Sequence, residues 1–293
     1  MSNTIQASPA DDLQRLFDAA APGSVICLSP GEYRQKTVIR TPGLTIIGAG
    51  AEKTKIVYDD YAEKLDDQGV AYVTFRTYTM AVCADNVTMR DLLVENDALR
   101  PEVKGQEVAL SVCADGFQME SCILRSTQDT LFLGPLPPDL IARYDGFLND
   151  ELRRDGPFRQ TFRDCRIEGS VDFIFGCGDA LFDRCWLHSV WDVRGHGFVA
   201  APAHSEDQVS GFLFRQCRFT GDEALADGSV YLARPWRDFG MAAFEDCGYG
   251  PHIAPEGFDK WNDTCRDKTA RFYETPAVPG RASWVNRGNQ GGG

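Results

Sequence analysis

Short segments of one design recur through the middle of the chain: a large apolar residue, two polar residues, a cysteine, then alternating apolar positions. They are Met119-Glu-Ser-Cys122-Ile-Leu124, Phe162-Arg-Asp-Cys165-Arg-Ile167, Phe182-Asp-Arg-Cys185-Trp-Leu187, Phe214-Arg-Gln-Cys217-Arg-Phe219 and Phe244-Glu-Asp-Cys247. A degenerate copy, Met89-Arg-Asp-Leu92-Leu-Val94, precedes them with leucine at the cysteine position. Each segment is strand-like and is followed by turn-forming residues. Recurrence without helical periodicity between copies predicts an all-β solenoid of strands. In such a coil, equivalent residues stack on neighbouring rungs about 4.8 Å apart. Ahead of the repeats, Leu13, Leu16 and Phe17 fall on one face of a short N-terminal helix that Ser8 or Asp11 could cap. The tail at 288–293, rich in glycine, reads as disordered.

One interval breaks the rhythm. Cys122 and Cys165 are 43 residues apart, and the excess is the stretch at 134–156 with its proline pair and mixed charges. It reads as an excursion with about one helical turn that leaves the solenoid and returns. The expectation is one domain over 1–293 with this insertion.

Composition narrows the function. A net charge of −13 over 293 residues argues against nucleic acid, whose phosphates need a basic surface. A neutralised, esterified acidic polymer would be repelled less than a free polyanion. No apolar run approaches the roughly 18 residues of a membrane helix. The first residues lack the basic and apolar regions of a secretory signal. Most of the ten cysteines fit an inward ladder of free thiols, because cysteine packs as a small hydrophobe. Together these point to a reducing, cytoplasmic setting. Four scattered histidines and no C-x-x-C pair give no zinc pattern. Gly48-Ala49-Gly50 lacks the third glycine of a nucleotide loop and reads as a coil turn.

The chemistry lies in two carboxylates. Asp129 follows Cys122 by seven residues, and Asp172 follows Cys165 by seven. If those cysteines stack, the two acids stand side by side, about 5 Å apart. Carboxylates that close cannot both ionise freely, so one becomes an acid while the other stays charged. Asp192 has the same offset from Cys185, but Arg194 beside it marks it as a paired structural acid. Phe173 and Phe175 alternate with Ile174, so one face of this strand should be core.

Three blocks carry a family resemblance: Gln128-Asp-Thr-Leu131, Gly169-Ser-Val-Asp-Phe-Ile-Phe-Gly176 and Leu232-Ala-Arg-Pro-Trp236. In this order they resemble the signature blocks of the pectin methylesterases. Weaker matches support them at Pro30-Gly-Glu-Tyr33, Ile46-Ile-Gly-Ala-Gly50, Gly105-Gln-Glu-Val-Ala-Leu110, Gly211-Phe-Leu-Phe-Arg-Gln-Cys217 and His252-Ile-Ala-Pro-Glu-Gly257. The resemblance implies a single-stranded right-handed parallel β-helix. It also implies removal of C6 methyl esters from galacturonan, polymer or oligomer, without metal or organic cofactor. Carried over, Asp172 is the nucleophile and Asp129 the acid/base. Gln128 and Gln106 would donate to the oxyanion, and Arg234 would orient Asp172. Trp236 and Phe175 would face sugar rings, and Thr79 matches a substrate-contacting threonine. Ala233 replaces the usual glycine, and Gln35 stands where an acidic residue commonly follows the Gly-x-Tyr block.

Two other readings compete. A retaining glycosidase also uses carboxylates about 5 Å apart, although it has no need of paired amides. A non-catalytic carbohydrate-binding solenoid would need neither the acids nor Arg234. The insertion is expected to overhang the cleft and limit substrate length. Its slight excess of acidic residues would disfavour long demethylated stretches.

Overall fold

The computed structural model describes residues 3–98, 105–156 and 158–286. Among these, strands form three parallel sheets of ten, seven and eight strands that wind around one core. A single coil shows the plan. Phe117–Glu120 lies in the ten-stranded sheet, Ile123–Arg125 in the eight-stranded sheet and Leu131–Leu133 in the seven-stranded sheet. The next coil repeats it with Arg159–Arg163, Arg166–Gly169 and Val171–Gly176. The chain therefore forms the parallel β-helix expected from its repeats.

The repeated motif builds both the core and the corner. Its aromatic position forms a stacked ladder inside the coil: Phe162–Phe182, Phe182–Phe214 and Phe214–Phe244 have ring centroids 4.9, 4.7 and 4.8 Å apart. That is the strand spacing itself. Each ring is fully buried, which contributes roughly 1.5–3 kcal/mol per side chain. The cysteines stack in the same register. The thiols of Cys165, Cys185, Cys217 and Cys247 donate to carbonyls of Met119, Phe162, Phe182 and Phe214 on the preceding coil. All ten cysteines are free thiols in the structure.

Just before the cysteine position of the motif, the chain turns sharply through one residue of left-handed conformation. Asp91, Ser121, Asp164, Arg184, Gln216 and Asp246 all have φ of 50–54°. Ordinary side chains resist this conformation, and neighbouring corners offset the cost. Arg184 donates to both oxygens of Asp164 one coil away, at 3.0 and 2.8 Å.

The short N-terminal helix spans Leu13–Ala19 and closes one end of the coil with Leu13 and Phe17. Its cap is Asp12, which accepts from Arg15 N, and neither Ser8 nor Asp11 takes that role. Those two residues bond each other in the turn before the helix. Gln35 joins helix to coil by accepting from Leu13 N and donating to the Asp11 carbonyl. Gly48 belongs to a coil turn, where an added Cβ would lie 2.2 Å from the Asp91 carbonyl oxygen. Among the described residues, no helix is long and apolar enough to cross a membrane. The tail at 288–293 lies outside the described residues.

The excursion carries a helix at Pro138–Arg143 and a 3-10 turn at Asp150–Arg153. Leu140, Leu148 and Leu152 pack with Phe75, Phe132 and Phe175 in a second apolar cluster outside the coil. Ion pairs fasten it near both ends. Arg237 binds Asp139 at 2.7 Å, and Arg154 binds Asp85 at 2.9 Å.

Candidate active site

The two acids of the sequence argument meet as the cysteine register requires. Ile123 pairs with Arg166 and Leu131 with Ile174, so Cys122 faces Cys165 and Asp129 faces Asp172. Asp129 N also donates to the Val171 carbonyl at 3.1 Å. Both aspartates adopt left-handed backbone, with φ of 65° and 50°. Asp tolerates this conformation better than most residues, and strained backbone of this kind concentrates at functional sites.

A bulge aims Asp172. Val171 pairs with Phe198 but Ile174 with Ala200, so the strand holding Asp172 carries one extra residue. An extra residue bends the strand and redirects its side chains. The simple alternation expected for this strand therefore fails. Phe173 and Ile174 both enter the main core, while Phe175 joins the outer cluster. Gly169 makes room for the bend, because a Cβ there would lie 2.2 Å from Phe173 Cβ.

Asp129 and Asp172 open into a cleft of about 500 Å³ lined also by Gln106, Gln128, Phe175, Arg234 and Trp236. Arg234 donates Nε to Asp172 Oδ1 at 2.8 Å and Nη2 to Oδ2 at 2.6 Å. Phe198 and Trp261 pack over its guanidinium at 3.7 and 4.0 Å. Gln128 pairs through its backbone with Gln106 on one side and Val171 on the other, and both glutamines line the cleft beside the acids. Phe175 and Trp236 meet edge to face at 5.8 Å.

The acids have unequal electrostatics. Burial pushes Asp129 well above the usual carboxylate range, and the charge of Asp172 adds to the effect. Burial raises Asp172 as well, but the hydrogen bonds and charge of Arg234 oppose the rise. Asp129 is thus the better proton carrier and Asp172 the better anion.

Thr79 is not brought to the cleft. It is fully buried, and its hydroxyl donates to the Glu95 carbonyl at 2.8 Å. Asp192 is the structural acid its neighbours suggested, ion-paired with Arg194. Arg194 does more than that, since its other Nη donates to Gln128 Oε1.

Several cleft residues gave no signal in the sequence. Phe75 comes from a 3-10 turn at Thr74–Arg76, Trp261 from an irregular segment, and Leu140, Arg143 and Tyr144 from the excursion. The charge expected of the excursion is reversed at the cleft. Asp139 is engaged by Arg237 and Asp145 by Arg153, leaving Arg143 as the charged group that the excursion contributes to the wall.

A parallel β-helix with a coupled aspartate pair, an arginine clamp and paired amides in one cleft defines a class of carbohydrate-active ester hydrolases. The family model described as Pectinesterase matches residues 5–134 and 150–288, and the chain belongs to that family. Pectinesterase 31 from Arabidopsis thaliana is 31% identical over 258 residues, covering 86% of this chain and 72% of the relative. Putative pectinesterase 11 from the same plant is 29% identical, covering 85% of this chain and 60% of the relative. The pectin methylesterase from carrot superposes with a TM-score of 0.79 at 23% identity, covering 97% of this chain and 88% of that structure. Residues 135–149 of the excursion fall outside the family match.

Proposed function

We propose that this enzyme hydrolyses the C6 methyl esters of galacturonan, in pectin or its oligomers, and releases methanol. The observation that carries the reading is the facing pair Asp129 and Asp172 in unequal surroundings. Asp172, charged and held by Arg234, attacks the ester carbonyl carbon. The carbonyl oxygen becomes an oxyanion and accepts from the amides of Gln128 and Gln106. Each such donor is worth about 2.7–4 kcal/mol at the transition state.

The intermediate collapses by breaking the bond to the methoxy oxygen, which takes the proton of Asp129 and leaves as methanol. An acyl-enzyme anhydride on Asp172 remains. Asp129, now a carboxylate, takes a proton from water as the water adds to the acyl carbon. Collapse frees the galacturonic acid group, which loses its proton to solvent, and restores charged Asp172 and protonated Asp129. Phe175 and Trp236 offer apolar faces to the sugar rings. Measuring methanol against new reducing ends separates this reading from glycoside cleavage. Methanol without reducing ends is the expected outcome.

The excursion supports a preference for oligomers, because Leu140, Arg143 and Tyr144 wall one side of the cleft. The free thiol ladder fits a reducing, cytoplasmic site of action. Mass spectrometry of the native protein from its own cells should find all ten thiols reduced, and several disulfides would overturn that assignment.

A further inference from the structure

We propose that Arg194 is a positioning residue for the ester chemistry, fixing Gln128 in the orientation that turns its amide N–H groups toward the reacting carbonyl. The inference rests on Gln128 acting as an oxyanion donor, as proposed above.

Arg194 lies in the loop between Trp186–Ser189 and Gly197–Pro202, one coil beyond Asp172. It is not among the residues that line the cleft, and its guanidinium is engaged by Gln128 and Asp192. A guanidinium carries donors only, and its Nη2 donates to Gln128 Oε1. The amide oxygen is thereby committed to Arg194, and the amide nitrogen is turned to the Asp129 side of the cleft, where Gln128 hydrogen-bonds that carboxyl and keeps a second N–H for an oxyanion. Turned over, the same amide would aim its oxygen lone pairs at a developing negative charge and repel it.

Arg194 is itself rigidly placed. Its backbone N donates to Asp192 Oδ1 at 2.8 Å, and its Nη1 donates to Asp192 Oδ2. Asp192 is buried, and its turn closes through Gly195 N to the Asp192 carbonyl at 2.9 Å. The relay therefore runs from a buried acid, through one arginine, to an amide beside Asp129. A second effect is electrostatic. Arg194 joins Arg234 in favouring the charged forms of Asp129 and Asp172, against Asp259 acting on Asp172.

The test is steady-state methanol release from a methyl-esterified oligogalacturonate across about pH 4–9, with melting curves for every variant. Arg194→Met combined with Asp192→Asn removes the donor without stranding a buried acid. It should lower kcat about 10- to 100-fold while KM stays within about two-fold, because orientation rather than binding is lost. The acid limb of kcat/KM should move to higher pH. Arg194→Lys keeps the charge but not the planar fork, so its kcat should fall between. It serves alone if the double variant melts early. In a Gln128→Ala background, the cost of changing Arg194 should largely vanish, since both act through one amide. An Arg194 effect of undiminished size in that background overturns the inference while leaving the oxyanion reading intact. If Gln128→Ala itself leaves kcat unchanged, the oxyanion reading fails, and the inference with it.

Discussion

Arg234 holds both oxygens of Asp172, at 2.8 and 2.6 Å, while Phe198 and Trp261 pack over its guanidinium. The clamp opposes the burial that would otherwise protonate Asp172. Arg234→Lys cannot reproduce the paired hydrogen bonds or the packing. We expect kcat/KM to fall by about 10²-fold, with its acid limb shifted to higher pH. The limb should rise because losing Arg234 contacts removes a force that favours the anion. A variant with full activity and an unmoved limb would deny Arg234 this role.

Asp129 should weaken the fold that it serves. Its folded pKa lies above the unfolded value of 3.8, so it takes up a proton on folding. Stability from this group is thus fully present below the unfolded value and is lost as pH rises through the folded one. Asp129→Asn mimics the neutral acid at every pH. It should melt higher than the wild type at pH 8, by about 2–4 °C for each kcal/mol relieved. The difference should close below about pH 4, near the unfolded carboxylate range. An undiminished gap in acid would contradict the burial argument.

Arg143 gives the excursion a cationic face toward the cleft. A demethylated neighbour on the substrate carries a free carboxylate, which this guanidinium can bind. Arg143→Ala should raise KM for partly demethylated oligomers several-fold and leave fully methylated ones nearly unchanged. Point substitution suits the question better than deletion, because Leu140, Leu148 and Leu152 cover Phe132 and Phe175. Equal effects on both substrates would remove the excursion from substrate selection.

Much of this architecture was legible because solenoid order is one-dimensional. Once Phe162, Phe182, Phe214 and Phe244 are aligned by their cysteines, every later position inherits a neighbour. That alignment placed Asp129 against Asp172. Asp192 shares that register, and only Arg194 two residues away set it apart as structural. The left-handed corners were hidden, because residues such as Arg184 and Gln216 carry no turn signature and are held by neighbouring coils. The bulge at Asp172 was equally invisible, since an alternating pattern gives no sign of one extra residue. Thr79 was marked through likeness of position alone, and the fold buries it away from the cleft lining. Its hydroxyl turned out to bond a carbonyl in the interior. The acidic excess of the excursion misled because net charge along a segment does not say which charges pair elsewhere, as Asp139 does with Arg237. Trp261 comes from an irregular stretch and Phe75 from a three-residue 3-10 turn, and only tertiary packing brings them to the cleft.

The division of labour between the two aspartates is tested most directly by rapid-quench methanol release from a methyl-esterified hexagalacturonate. Wild type, Asp172→Asn and Asp129→Asn would be compared at equal enzyme concentration. Asp172→Asn should release no methanol above background, because the first covalent step needs its carboxylate. Asp129→Asn should release at most about one methanol per enzyme, slowly, and then stall as acyl-enzyme for want of a base. Sustained turnover by Asp172→Asn, or equal and mild losses in both variants, would contradict the assignment.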